Sequence, residues 1–471
     1  MIRGGVDGLM RVAMLAAVVV IMASGLGAAA AGRSVQSGGA GEPVSSFALG
    51  VYWPWERTDG IARNAGLGRW EFARRTCALL ARSGVNTIWL VNIGASDVKA
   101  LARIAGPMHI KLVPTLNEIE PRGLGLDANR PDFASRAIEH YRTTIPRVVD
   151  AMGAERADIL AWGLCDEPGG PYLELMEPMR RIFAEADPDR PVITVSTWGS
   201  TPDMIAKTRL FTFCTDLYPF FSAGNPNGPN TPGASRNFLT TNTERMVQEA
   251  GKDGRIGWLM PQCYNEIWGP YEWDSSGALV ALPGSFVHWR TPTPAEIRWQ
   301  IWEGVRLGVK GIVFFCLLGP ADSDSAAKPV SDPALRSLIV RVPTTVGAPA
   351  LLDRFGRPTP QMVEAASIFR ELRPHLALLR RLTPVSAGGL AVDGAVSTGY
   401  FRDPKTGGRY VVIVNPDFER EAAAALTAAR GTTVVTSVLA GRRLRLEKTS
   451  PALRIRLKLP PGGGALLRVE A

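Results

Sequence analysis

Apolar stretches and helix-like stretches alternate about eight times between residues 46 and 384. That alternation restricts the fold more than any single motif. The apolar runs occupy 47–55, 85–92, 110–117, 159–164, 191–198, 210–219, 255–265 and 311–318. Most are apolar almost throughout, the pattern of strands covered on both faces in a parallel sheet. Pro114 falls inside the third run and is awkward for a central strand, because it has no N–H to donate. Helical segments are predicted over 70–83, stopped by Gly84, and over 97–105, 132–152, 172–186 and 237–250, with Pro146 a point where the third could kink. A further helix opens on Thr293-Pro-Ala-Glu296, a capping box with proline at the first helical position. Ile297, Ile301, Val305 and Val309 then give that helix one apolar face. A closing helix is predicted over 360–378. Eight such units predict a closed (β/α)8 barrel. No Gly-x-Gly-x-x-Gly turn follows the first strand and no phosphate-binding loop is present, so a nucleotide fold lacks its signatures.

Beyond residue 385 the pattern changes to short alternating runs at 396–402, 410–414, 432–439, 453–459 and 465–469, with a turn at Asp403-Pro-Lys-Thr-Gly-Gly408. The expected organisation is therefore a barrel over 46–384 and a small all-β sandwich over 385–471. Ahead of them, Arg3 and Arg11 precede an apolar run and a small-residue stretch, the features of a cleavable export signal over 1–31, followed by a Gly/Ser-rich linker over 32–45. The same run, left uncleaved, would serve as a membrane anchor. The expected location is secreted or periplasmic.

The 471 residues carry a net charge of +9, but the basic residues are scattered and mostly arginine. Scattered charge of this kind is not a nucleic-acid footprint, and no nucleic-acid partner is expected. The cysteines, Cys77, Cys165, Cys214, Cys263 and Cys316, are odd in number and mostly inside strands. They read as buried thiols and not as a disulfide framework. His109, His140, His288 and His375 lie far apart, so no metal or cofactor is expected.

The chemistry concentrates at the strand ends. The fourth run passes straight into Cys165-Asp166-Glu167-Pro168, and Gly169 and Gly170 open a loop. Acids at the carboxyl end of a buried barrel strand stand where such barrels place catalysis. The other strand ends contribute Trp53, Asn117 with Glu118, Trp198, Asp216 with Tyr218, and Gln262 with Tyr264 and Glu266; the loop beyond carries Trp268. Carboxylates mixed with amides and aromatic rings suit a sugar, whose C–H faces stack on rings and whose hydroxyls need planar hydrogen-bonding groups. Glycosidic cleavage needs a protonated acid and a charged carboxylate. Glu167 is the candidate general acid/base, with Glu266 or Asp216 as its partner. Trp53, Asn117, Asp166, Trp198, Tyr218, Gln262, Tyr264 and Trp268 are candidate substrate contacts. Trp89, Trp162 and Trp258, mid-strand, read as core. The long segment 266–291 is expected to be a functional loop.

On these residues the chain resembles the retaining TIM-barrel glycoside hydrolases that place the acid/base after strand four and the nucleophile after strand seven. Glu167-Pro168 matches the first position. The helix and strand over 293–318 are similar to the end of β-galactosidase-like and agarase-like barrels. Tyr410-Val-Val-Ile-Val-Asn-Pro416 and Leu459-Pro-Pro-Gly-Gly-Gly-Ala465 resemble their C-terminal sandwich. The resemblance implies a hydrolase of an oligo- or polysaccharide, and the N-terminal signal makes it an exported one. Two departures stand out: Asp166 where those enzymes carry asparagine, and Gln262 where the nucleophile belongs. The second leaves open inversion, substrate assistance, or a catalytically silent carbohydrate-binding barrel. A polysaccharide lyase is a further alternative.

Overall fold

The computed structural model describes residues 44–470 apart from 224–227, 229, 269–270, 274–278, 282–285, 322–343, 347–348, 389, 429–433, 445–446 and 450–451. The predicted signal over 1–31 and nearly all of the linker lie outside the described residues. Among the described residues no helix is long and apolar enough to cross a membrane.

Eight parallel strands close into a barrel. In chain order they are β1 (Ala48–Pro54), β2 (Thr87–Ile93), β3 (Lys111–Leu116), β4 (Trp162–Asp166), β5 (Val192–Thr197), β6 (Thr212–Leu217), β7 (Ile256–Pro261) and, after four short strands, β12 (Gly311–Phe314). Around the barrel the order is β1-β12-β7-β6-β5-β4-β3-β2. Pro114 is accommodated inside β3, opposite Leu90 of β2. On its other side β3 pairs with β4 at Thr115 and Gly163, where the missing N–H matters less.

The barrel interior holds Ala48, Tyr52, Trp89, Val113, Ile193, Val195, Cys214, Trp258, Met260 and Val313. Large rings are matched by small residues across the barrel. A Cβ on Gly311 would come within 2.6 Å of the Trp258 ring, so glycine is what lets that indole fill the interior. The helices outside seal a larger apolar layer that includes Trp162, Phe183, Phe213 and Phe314. All five cysteines are buried free thiols.

The capping box at Thr293 forms as the sequence predicts: Thr293 Oγ1 accepts from the Glu296 amide at 3.3 Å, and Glu296 Oε2 accepts from the Thr293 amide at 2.8 Å. The closing helix differs from expectation. It runs over Pro360–Leu372, passes through a 3-10 turn at Arg373–His375 and resumes at Leu376–Arg381. Pro374 sits in that turn and cannot continue the α-helical ladder. The segment after β7 is not a bare loop either. It contains β8 (Glu266–Trp268), β9 (Tyr271–Trp273), β10 (Leu279–Ala281) and β11 (Phe286–Trp289), with β11 antiparallel to β8.

The C-terminal region forms a six-stranded and a four-stranded antiparallel sheet. The strand over Arg409–Val414 explains how they attach to the barrel. Val411 and Ile413 face the sandwich core with Leu426, Ile455 and Leu467. The alternate residues Tyr410, Val412 and Val414 join the barrel's outer core. One strand of the sandwich, Ala422–Ala428, has no counterpart in the sequence-based assignment. Its alanine-rich run has no strand propensity to read. It is extended because all seven residues pair with the strand Ala452–Leu459.

Candidate active site

Three acids gather at the carboxyl end of the barrel. Asp166 ends β4, Glu167 follows it, and Asp216 lies near the end of β6. Successive strand residues normally point to opposite faces. Glu167 leaves that alternation because its backbone turns left-handed, with φ 45°. This conformation is uncommon for a residue with a side chain. It is held by the Glu167 amide donating to Val195 O at 3.0 Å. Arg122 secures the other side: its guanidinium donates to the carbonyls of both Asp166 and Glu167, the latter at 2.8 Å. The Glu167 side chain is exposed, whereas Asp216 is only 5% exposed.

The electrostatics follow from crowding. Burial, then a hydrogen bond with Glu167, then the charges of Glu167 and Asp166, push Asp216 well above the usual carboxylate range. Its Oδ1 is buried with no hydrogen-bond partner. Burial and the charges of Glu167 and Glu120 push Asp166 up to about 7, against the Arg122 charge and the Tyr52 hydroxyl that donates to it. Like charges in one partly dry site cannot all ionise, so the cluster retains a proton near neutral pH.

Aromatic rings flank the acids. Tyr218 meets Tyr264, Trp289 and Phe315 at centroid distances of 5.2, 5.4 and 5.6 Å. Tyr52 lies 5.0 Å from Phe315. Tyr218, Trp289 and Phe315 are half-buried and leave ring surface to the cleft; Tyr52 and Tyr264 are buried beneath them. Burial first, then the nearby acids, keeps the Tyr218 phenol protonated.

The structure separates the residues singled out from sequence. Asp166, Glu167, Asp216 and Tyr218 come together, with Tyr264 under Tyr218. Asn117 is exposed at the end of β3 and Trp198 is 53% exposed, edge-on to Phe238 at 5.6 Å. Three of the candidate substrate contacts are corrected: Tyr264, 1% exposed, lies beneath Tyr218 and out of the cleft, and two others are enclosed. Trp53 is fully enclosed, its indole N–H donating to Thr58 Oγ1 at 3.0 Å, because the residue before the last in β1 points into the packed outer layer. Gln262 is also fully enclosed. Its Oε1 accepts from the Phe220 amide at 2.9 Å, and its Nε2 donates to Tyr264 O at 3.1 Å and Arg290 O at 2.8 Å. The amide ties three loop segments together and has no surface for a ligand. Glu266 opens β8 and is 5% exposed. The side chain of Trp268 lies outside the described residues. Glu118 serves a helix: its Oε1 accepts from the Ala95 amide at 2.9 Å, in the first turn of the helix Ala95–Ala105.

Tyr52, Arg122 and Phe315 join the site with no sequence signal that singled them out, and Trp289 comes from the loop expected to be functional. Arg122 sits in a short 3-10 turn after β3, and no local pattern ties it to a strand-four turn. Tyr52 could have been found, since it alternates with Trp53 in β1 and so faces the barrel interior. Among the described residues, no group of three or more His, Cys, Asp and Glu side chains is placed to hold a metal ion.

No family model matches the sequence, and no curated protein matches it. Solved structures do match in fold. A catalytic mutant of a GH42 β-galactosidase from G. stearothermophilus aligns with a TM-score of 0.57 at 8% identity, covering 91% of this chain and 99% of that one. A protein described as a glycoside hydrolase aligns at 0.49 and 10% identity, covering 85% and 88%. A GH2 β-galacturonidase from Eisenbergiella tayi, solved with galacturonate, aligns at 0.45 and 13% identity, covering 69% of this chain and 51% of that one. This chain thus spans about half the length of that last protein. At these identities the likeness is one of fold.

Proposed function

We propose that the protein is an exported glycoside hydrolase acting on an oligo- or polysaccharide, with Glu167 as general acid/base. One observation carries this reading. An exposed carboxylate on a rigidly held left-handed turn stands at the carboxyl end of a (β/α)8 barrel, hydrogen-bonded to a buried acid that retains a proton. General acid catalysis needs a group that is protonated near the working pH and can reach the leaving oxygen. Asp216 retains such a proton, and the Glu167 carboxyl hydrogen-bonded to it is the one exposed to the cleft. Rings with exposed faces beside the acids suit the C–H face of a sugar. The neighbouring folds of a β-galactosidase and other glycoside hydrolases are consistent with that chemistry, and the N-terminal sequence supports export.

The test is product release from a panel of oligosaccharides and polysaccharides, wild type beside Glu167→Gln, with the product anomer followed by NMR. A general acid contributes roughly 10²–10⁴-fold, and the variant should lose turnover on that scale while its melting temperature holds. Release that persists in Glu167→Gln would remove Glu167 from the mechanism. Glycan binding without release by either protein would identify a silent binding barrel.

A further inference from the structure

We propose that Arg122 is a positioning residue for the reaction: its guanidinium, laid across two successive carbonyls, holds the Glu167 carboxyl where the glycosidic oxygen arrives. This rests on the reading of Glu167 as general acid above and adds the group that aims it.

The backbone of Glu167 is not in the conformation its own sequence favours. A residue ahead of proline is pushed toward extended backbone, with φ of about −120°. Glu167 precedes Pro168, yet its φ is 45°. A residue with a side chain stays in the left-handed region only where its surroundings hold it there. Relaxation to extended backbone would re-aim the carboxyl, because rotation about N–Cα carries Cβ with it.

Two grips oppose that rotation. On the β5 side the Glu167 amide donates to Val195 O at 3.0 Å. On the β3 side Arg122 Nη2 donates to Glu167 O at 2.8 Å, and Nη1 donates to Asp166 O. The first grip fixes the nitrogen and leaves rotation about N–Cα free. The second fixes the carbonyl that the rotation would carry away. A planar fork of donors reaches two neighbouring carbonyls at once, which a single ammonium does not.

Arg122 is itself held as a strut. It sits in the 3-10 turn Pro121–Leu124, where the Gly123 amide donates to Glu120 O at 2.9 Å. Its Nη1 lies 3.4 Å from Glu120 Oε1, and the same oxygen accepts from Cys165 Sγ at 3.5 Å. Its guanidinium carbon stands 5.2 Å from the centre of the Tyr172 ring, in the first turn of the helix Pro171–Ala186. Tyr172 rests edge-on against Phe133 at 5.6 Å. These contacts tie the connection after β3 to the backbone of the turn after β4, so Arg122 works through the placement of Glu167.

The test separates aiming the acid from supporting the fold. The substrates are the panel oligosaccharide that wild type cleaves fastest and the 2,4-dinitrophenyl glycoside of the sugar it releases. The alcohol leaving from the first needs a proton, and dinitrophenolate does not. Arg122→Met removes both hydrogen bonds to the turn. It should lower kcat on the oligosaccharide roughly 10–100-fold, the scale of a misplaced catalytic group, with KM nearly unchanged. Its kcat/KM on the dinitrophenyl glycoside should stay near wild type. Glu167→Gln should show the same split between substrates. In the double variant the Arg122 effect should vanish, since no acid is left to aim. Arg122→Lys, a point donor in place of a fork, should fall between wild type and Arg122→Met, and it carries the same comparison if Arg122→Met does not fold. Wild-type kcat in Arg122→Met beside an inactive Glu167→Gln would overturn the proposal and leave the hydrolase reading standing. So would equal losses on the two substrates, or losses that add in the double variant. Glu167→Gln that cleaves the oligosaccharide like wild type, or no cleavage by wild type, would remove the acid assignment and this proposal with it.

Discussion

The two ends of the barrel bury charge in opposite ways. At the amino end, cations land on backbone carbonyls. Lys310 donates to Leu379 O at 3.3 Å and also to Leu382 O. Arg255 donates to Ile205 O at 2.8 Å and Thr208 O at 3.1 Å, and Arg380 donates to Val44 O at 2.8 Å. Helices that follow parallel strands point their carboxyl ends to this side, where the dipole and the unpaired carbonyls favour cations. At the carboxyl end, acids face one another, and buried oxygens of Glu120 and Asp216 are left without partners. Burial still opposes these cations: Arg255 Nε is left without a partner, and desolvation lowers the pKa of Lys310 and Arg380. Unsatisfied buried charge raises the energy of a fold, and such sites cluster where chemistry is done.

Four measurements would break or sharpen that contrast. The largest effect is expected at Gln262, which lies at the active end but is wired like the amino end. Gln262→Leu strands a buried N–H and two carbonyls, and should cost about 2–4 kcal/mol in urea unfolding. An unchanged stability with a raised KM would instead make Gln262 a ligand group. Next is Lys310, which burial holds down at about 7 from its usual 10.5. Between those pH values the unfolded chain keeps a proton that the folded chain has released. Wild-type stability should therefore rise across that window relative to Lys310→Met, by about 2 kcal/mol. A constant difference would show that the ammonium remains charged throughout.

Asp166 has the opposite sign. Its carboxyl is raised from 3.8 to about 7, so between those values the folded chain holds a proton that the unfolded chain gives up. Wild-type stability falls as pH rises through that window. Asp166→Asn should match wild type near pH 4 and exceed it by about 1–2 kcal/mol at pH 8, even as it loses activity. A variant less stable than wild type at pH 8 would mean that the carboxylate is well satisfied. The smallest effect is expected at Trp198, 53% exposed on the rim. Trp198→Ala should leave the melting temperature within about 1 °C and raise KM roughly 3–10-fold, the loss of one stacking face. A drop in melting temperature without a KM change would assign it to packing against Phe238.

The site was legible from sequence where a strand end declares itself. Asp166 and Glu167 stand out because a buried apolar run passes directly into two acids and a proline. Asp216 and Tyr218 follow from the same rule on β6. The rule fails at Trp53 and Gln262, since a strand's register decides which of its last residues face the cleft, and one residue of shift reverses the answer. Arg122 was beyond reach: it acts across 44 residues on a carbonyl, and no periodicity records such a contact.

By itself the sequence determined the alternation of strand and helix, the capping box at Thr293, the turn at Asp403 and the acids at the end of β4. These depend on near neighbours, whose propensities and hydrogen bonds are local. Tertiary structure alone decided that Glu167 turns left-handed under Arg122, that burial beside Glu167 and Asp166 raises the pKa of Asp216, that Gln262 joins loops instead of meeting a ligand, and that the alanine run over Ala422–Ala428 is a strand. Each of these depends on partners brought from far along the chain. Their burial and charge set the energy only once the barrel has closed.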